Sequence, residues 1–340
     1  MVLMGDMGNK FNEVLQQVWR DDENKRDQLI NIHQLRMSDT GGLITLNGTD
    51  RVLAMSDHAL SQIFSRLGIP VHYGKRLMAE RPDLVAKEFN HWVRGTEERL
   101  LLMRYREGDG DGMVRAFLSD KYAPLDNRDV SDMLARIVQK MGDETELSSF
   151  YMDDRRLHVR MTFPSLTARL GESVTGEEDD VRVGVDIVNS EVGASALTVT
   201  PLIWRLVCSN GLRAWATDGE TFRQRHIHLK PWEIYNRMTE AVGSAVGRGD
   251  EMIEQFIATR GVPVDDPLHV IEKLSKKELY SKEIVEEVKN NFMIEPQNTV
   301  YGLVNAYTRT ARELPNERRM DMERLAGRLM TDDLLKEFVA

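Results

Sequence analysis

Phe11, Val14, Leu15, Val18 and Trp19 fall at i, i+3, i+4, i+7 and i+8, the spacing of one face of an amphipathic helix. The charged run "DDENKRD" next to it reads as an exposed continuation of that helix. In "SDHALSQIFSRLGIP", Ser56 is placed to cap a helix, Leu60, Ile63, Phe64 and Leu67 give its apolar face, and Gly68 before Pro70 ends it. "PDLVAKEFNHWV" predicts another short helix, so residues 1–95 read as a helical region.

From residue 96 the period changes. "LLLMRYREG", "GMVRAFLS", "ELSSFYMD", "RRLHVRMTF", "VRVGVDIV" and "SALTVTPLIWRLV" are short, rich in β-branched and aromatic residues, and several alternate with period two. One helix interrupts them: "LDNRDVSDMLARIVQKMGD" carries Val130, Met133, Leu134, Ile137 and Val138 on one face and stops at Gly142. Residues 96–230 therefore read as an antiparallel α+β core, because short loops between successive strands do not suit βαβ crossovers. Residues 231–340 are helical again. Pro231 suits a first helical position, Tyr235, Met238, Val242 and Ala245 mark one face, and Pro263, Pro267, Pro296 and Pro315 punctuate the later helices. The fold class expected is α+β, an antiparallel sheet with an inserted helix, flanked by N-terminal and C-terminal helical regions.

The alternation also nominates chemistry. If "RRLHVRMTF" is a strand, Leu157, Val159, Met161 and Phe163 face one way, and Arg156, His158, Arg160 and Thr162 the other. "LLMRYREG" sets Arg104 and Arg106 opposite Met103 and Tyr105 in the same manner. Arg115, Arg182, Arg205 and Arg213 lie in neighbouring strand-like segments, and Arg223 and Arg225 share a face of "FRQRHI". Arginines recurring on several strands make a stripe, and planar guanidinium forks suit a run of phosphates. Tyr105, Phe117, Tyr122, Tyr151, Trp204, Trp215 and Phe222 are interleaved with them and offer rings for unpaired bases. The plainer alternative is that these arginines pair with acids on a sheet face and that the aromatics are core.

Charge and composition test both readings. A net charge of −10 opposes nucleic-acid binding only if the basic residues are scattered. The acids are concentrated elsewhere, in "GEEDD" at 176–180, read as a solvated loop, and in the C-terminal helical region. A single cysteine, Cys208, excludes an internal disulfide and a Cys-cluster zinc site, and suits a reducing cytoplasm. No signal peptide and no apolar run long enough to span a membrane is expected from the sequence. His226 and His228, with Cys208 or Asp218, form a second candidate, a metal site, but their spacing matches no ligand motif. Cys208 as a nucleophile would need an aligned base and, beside the apolar "LIWRLV", reads as a buried small hydrophobe, and the pairs Asp153–Asp154 and Glu177–Asp180 read as solvated loop acids and not as catalytic carboxylates. "EGDGDGM" is a hairpin turn and not a phosphate loop. No cofactor is called for.

Three stretches, "LGIPVHYGKRLMAERPDLVAKEFNHWV", "RAFLSDKYAPLDNRDV" and "LIWRLVCSNGLRAW…FRQRHIHL", together resemble the phage/plasmid-like protein family, over about Leu60–Leu229. "LSDKYAPLDN" and "LVCSNGL" are the most specific pieces. That resemblance implies a mobile-element context and no particular chemistry. The order of elements is also similar to that of the phage single-strand annealing proteins of the Erf and Red-beta types, which hold single-stranded DNA in a basic groove of a ring or filament. The function expected is therefore binding and annealing of single-stranded DNA by a cytoplasmic oligomer, without catalysis. Strand parity nominates Arg104, Arg106, Arg115, Arg156, Arg160, Arg205, Arg213, Arg223 and Arg225 as the contacts. The alternatives are a metal-dependent enzyme using His226 and His228, and an anti-defence factor that binds another protein through the acidic helices.

Overall fold

The computed structural model describes residues 6–46, 52–108, 112–141, 145–172, 178–206, 210–212 and 221–330. Helix α1 (Asp6–Asp22) buries Phe11, Val14, Leu15 and Val18, while Trp19 stays 37% exposed. Of the "DDENKRD" run only Asp21 and Asp22 belong to it. The chain turns and Lys25–Asn31 becomes strand β1, paired antiparallel along its whole length with β5 (Leu100–Arg106). Three more short strands come next, β2 (Leu35–Met37), β3 (Leu43–Thr45) and β4 (Val52–Met55). With β6 (Met113–Ser119) they complete a six-stranded sheet in the order β1-β5-β6-β4-β3-β2, in which β4 and β6 run parallel. Residues 1–95 are thus not purely helical, and this sheet crosses the expected boundary at 95/96. Strands of three or four residues show too little alternation to be recognised, and β1 owes its conformation to a partner about 75 residues away.

The predicted helices of this region are present. Ser56 accepts the Ala59 N–H at 3.1 Å and caps α2 (Asp57–Arg66), and Gly68 turns the chain at φ +72°. Helices α3 (Val71–Glu80) and α4 (Pro82–Gly95) come after it. Ile63, Phe64, Val85, Phe89 and Val93 pack with Leu101, Met103, Val114 and Phe117 to form one core.

Helix α5 (Asn127–Met141) leads into the second sheet, formed by β7 (Glu146–Met152), β8 (Leu157–Glu172), β9 (Glu178–Asn189), β10 (Leu197–Arg205), β11 (Asn210–Leu212) and β12 (Phe222–Gln224). Its order is β11-β10-β9-β8-β7, with β12 pairing the same edge of β10 nearer its start. Register aligns Phe150, Val159, Ile187, Val199 and Phe222 in one row across five strands. All five belong to the larger core, together with residues of α1, α5, α6 (Pro231–Gly247), α7 (Gly249–Ala258), α8 (Pro267–Lys277), α9 (Lys282–Ile294), α10 (Val300–Ala311) and α11 (Asn316–Arg328). Each large apolar side chain buried there contributes about 1.5–3 kcal/mol. The protein is therefore α+β as expected, but the described residues form two sheets, the first of them mixed. Among the described residues no helix is long and apolar enough to cross a membrane.

Candidate nucleic-acid interface

Strand parity holds in β8: Val159 and Met161 face the apolar core and Arg160 faces the other way. That second face is buried too. Arg160 is 1% exposed. It donates to Asp186, its register partner on β9, at 3.0 Å and to both carboxylate oxygens of Glu323 on α11. Its guanidinium lies 5.6 Å from the Trp204 ring centroid, and His158 also contacts Asp186. Burial works against the charge, but Asp186 and Glu323 more than restore it, so the arginine's pKa is raised.

Arg205 repeats the arrangement. Asp179 on β9 accepts from its Nε and Nη2 at 2.7 and 2.8 Å, and Glu295 accepts at 3.1 and 3.2 Å. Tyr301 donates its hydroxyl to the same Asp179. Asp179, read from "GEEDD" as solvated, is buried.

The third cluster joins the two sheets. Arg104 is buried and donates to Asp27 at 2.7 Å, Asp126 at 2.6 Å and the Glu191 carbonyl at 2.8 Å. Between Arg104 and Tyr105 the register of β5 with β6 slips, leaving Arg115 as an unpaired bulge residue. Its side chain reaches the Glu191 carboxylate. Lys25 and the Asn127 N–H also donate to Glu191, at 2.7 and 2.8 Å. Glu191 comes just after β9, while Lys25, Arg104 and Arg115 belong to the first sheet, so one buried carboxylate holds three elements together.

Four of the nine nominated arginines, Arg104, Arg115, Arg160 and Arg205, are thus enclosed and matched with carboxylates rather than presented to solvent. Arg106 is part-exposed and paired with Asp21. Arg156 is half-buried and donates to the Ala194 carbonyl at 3.2 Å. Arg213 and Cys208 lie outside the described residues. Arg223 and Arg225 are exposed.

The histidines do not sit as a pair. The strand ends at Gln224. His226 is 5% exposed and stacks on Tyr122, with ring centroids 5.1 Å apart and planes 2° from parallel. Burial and the nearby Arg104 push its pKa down to about 4. His228 is exposed and sits at φ 52°. Among the described residues no group of three or more His, Cys, Asp or Glu is placed to hold a metal ion.

What remains on the surface is a short segment that strand parity only grazes. β12, the segment after it and the first turns of α6 expose Arg223, Arg225, Lys230 and Arg237, with His228 and a 63% exposed Trp232 among them. Arg237 lies 4.7 Å over the Phe222 ring and donates to Gln224 at 3.3 Å, which makes strand and helix one surface. Glu233, paired with Lys230 at 2.8 Å, is the single acid between Thr221 and Arg237. Strand parity misses Trp232 and Arg237 because the strand pattern does not extend past Pro231. Reading "LKPWEIYNR" as a helix start, with Lys230, Glu233 and Arg237 on its outer side, is the signal that finds them.

A family model described as a domain of unknown function (DUF932) matches residues 115–327. The match runs through the C-terminal helices, which the sequence resemblance does not reach, and it starts later, at Arg115 instead of Leu60. No curated protein matches the chain. No solved structure matches it either, so the likeness to annealing proteins stands on element order alone. With more than half of its length matched, from the bulge arginine of β6 to the last turn of α11, the chain belongs to the DUF932 family of unknown function.

Proposed function

We propose that the protein binds single-stranded DNA, non-catalytically and as several copies along a strand, through the β12–α6 surface and not through the interior of the sheet. The observation that carries this is the set of exposed side chains between Arg223 and Arg237, with four cations, one part-buried acid and a solvent-facing indole. Guanidinium and ammonium groups neutralise backbone phosphates. A tryptophan face takes an unpaired base of any sequence, worth roughly 1–3 kcal/mol. Bases held by one face and by their backbone keep their pairing edges open, which is what annealing to a complement requires.

The test is fluorescence anisotropy of a labelled single strand at several salt concentrations, with a duplex control. Wild type is expected to prefer the single strand and to weaken steeply with salt. Arg223→Ala/Arg225→Ala is expected to flatten the log–log salt slope by about 1.4, near 0.7 per lost phosphate contact. Trp232→Ala is expected to weaken binding at least fivefold at every salt concentration. Absence of binding at low salt, or variants that bind as wild type does, would overturn the proposal.

A further inference from the structure

The α8–α9 connection and α11 enclose a cleft of about 280 Å³, lined by Glu278, Leu279 and Tyr280 on one side and by Arg318, Asp321, Arg324, Leu325 and Arg328 on the other. It is far along the chain from the β12–α6 surface and uses none of its residues. On α11 the positions 318, 321, 325 and 328 keep the helical repeat, so the cleft is walled by one helix face. Three guanidinium groups converge on it with two carboxylates. Arg324 pairs with Asp321 at 2.8 Å and Arg328 with Glu278 at 3.2 Å. Arg318 is exposed and has no carboxylate partner among the described residues.

Two features make this more than a solvated helix face. Arg324 and Arg328 stand at i and i+4, where like charges repel, and Asp321 is 62% exposed, so the pair that offsets Arg324 is a weak one. The cleft therefore holds more positive charge than its own acids neutralise, at a spacing that an added anion would relieve. Its lip is Leu279, a non-glycine residue at φ 57° with 89% of its surface exposed. Such backbone is strained and persists where surrounding structure holds it, commonly at ligand sites. Burial, Glu278 and Asp321 push the Tyr280 phenol up to about 12, so its hydroxyl remains a donor at neutral pH.

We infer that this cleft binds a phosphate monoester. Planar guanidinium forks match phosphate oxygens bidentately, Tyr280 adds a neutral donor, and Leu279 and Leu325 supply apolar wall for the group that carries the phosphate. The volume suits a mononucleotide-sized moiety and not a larger ligand. The same chemistry is presented by a free nucleoside monophosphate and by the 5′-phosphate end of a DNA strand.

Titration calorimetry with inorganic phosphate and with a deoxynucleoside 5′-monophosphate, at constant ionic strength, tests it. Saturable binding is expected, weakened at least tenfold by Arg318→Ala and less by Arg318→Lys, which keeps the charge but loses the fork. Asp321→Asn removes a competing carboxylate and is expected to tighten binding severalfold, a gain that a misfolded variant could not give. A 5′-phosphorylated oligonucleotide binding more tightly than its 5′-hydroxyl twin, with the advantage lost in Arg318→Ala, assigns the site to strand ends. Binding of the mononucleotide with no such advantage assigns it to free nucleotides. Absence of saturable binding of either small probe, or equal affinity in Arg318→Ala and wild type, overturns the inference. Binding of the 5′-hydroxyl strand reports the β12–α6 surface separately, so either can fail alone.

Discussion

Glu191→Gln removes one charge from a place where two cations have left water to meet it. The side chain is 1% exposed. It accepts from Lys25 at 2.7 Å and from the Asn127 N–H at 2.8 Å, and it faces the Arg115 guanidinium. Burial by itself opposes the carboxylate, but Arg115, Lys25 and the Asn127 N–H override it and hold its pKa at about 2, against an ordinary 4.5. A folded-state value below the unfolded one means that the charge stabilises the fold. That contribution is complete well above pH 4.5 and is lost as pH falls toward 2. At pH 7 it corresponds to roughly 3 kcal/mol. The amide also leaves Arg115 buried without its counter-charge, while Lys25 keeps Asp21 at 2.8 Å, and breaking a buried pair from one side costs about 3–5 kcal/mol. Urea unfolding followed by tryptophan fluorescence at pH 7 is expected to show a loss of that size. At pH 3 the unfolded wild-type side chain is protonated, and the gap between wild type and variant is expected to narrow by about 2 kcal/mol. The other carboxylates titrate in both proteins and cancel. A loss below about 1 kcal/mol at pH 7, or a gap indifferent to acid, would refute the view that this charge holds the two sheets together.

Two further substitutions separate packing from binding. Arg160→Ala removes the buried guanidinium that Asp186 and Glu323 share, leaving Asp186 with His158 and Glu323 with Arg319, and is expected to lower stability by about 3 kcal/mol in thermal or urea unfolding while the folded fraction binds DNA as before. A stable Arg160→Ala protein that had lost DNA binding would instead return the sheet interior to the interface. His226→Phe keeps the stack on Tyr122 and removes two ring nitrogens that have no hydrogen-bond partner. Because burial lowers the folded-state pKa of His226 to about 4, wild type loses stability as pH falls from 6.5 toward 4, and the variant is expected to be more stable by about 2 kcal/mol at pH 5. Equal pH profiles for the two proteins would show that the imidazole is not held neutral.

The helices are legible where the apolar spacing is regular, as at Val130 through Ile137 in α5, and most clearly where a cap coincides with it, as at Ser56 with Ile63 and Phe64. The long strands of the second sheet are legible by alternation. β1 to β4 are not, because three or four residues carry no period and β1 is specified by β5, distant in sequence. For the arginines, parity gives direction but not environment. It places Arg160 opposite Val159 and Met161 correctly, yet alternation cannot say whether the second face of a sheet meets water or a helix. A partial clue is present. Asp186 is the one acid in "VRVGVDIV", and a lone carboxylate in an apolar strand beside an arginine-bearing strand signals a buried pair. Glu323, 163 residues from Arg160, leaves no such clue.

The same pairs alter what the net charge means. Arg104, Arg115, Arg160 and Arg205 are buried against carboxylates, among them Glu191, Asp186, Glu323, Asp179 and Glu295, so their charge is not offered to a ligand in solution. A total of −10 therefore neither excludes a polyanion partner nor predicts its absence from any one face. What a phosphate meets is local: exposed cations close together with few acids among them. By that measure the segment from Arg223 to Arg237 is a better candidate than the stripe of arginines read across the strands, because its cations are on the outside and Glu233 is the one acid between them. The buried arginines bear on the proposed surface only through the fold. Arg160 and Arg205 tie the second sheet to α11 and to Glu295 after α9, and β12 with its exposed Arg223 pairs along β10 of that sheet.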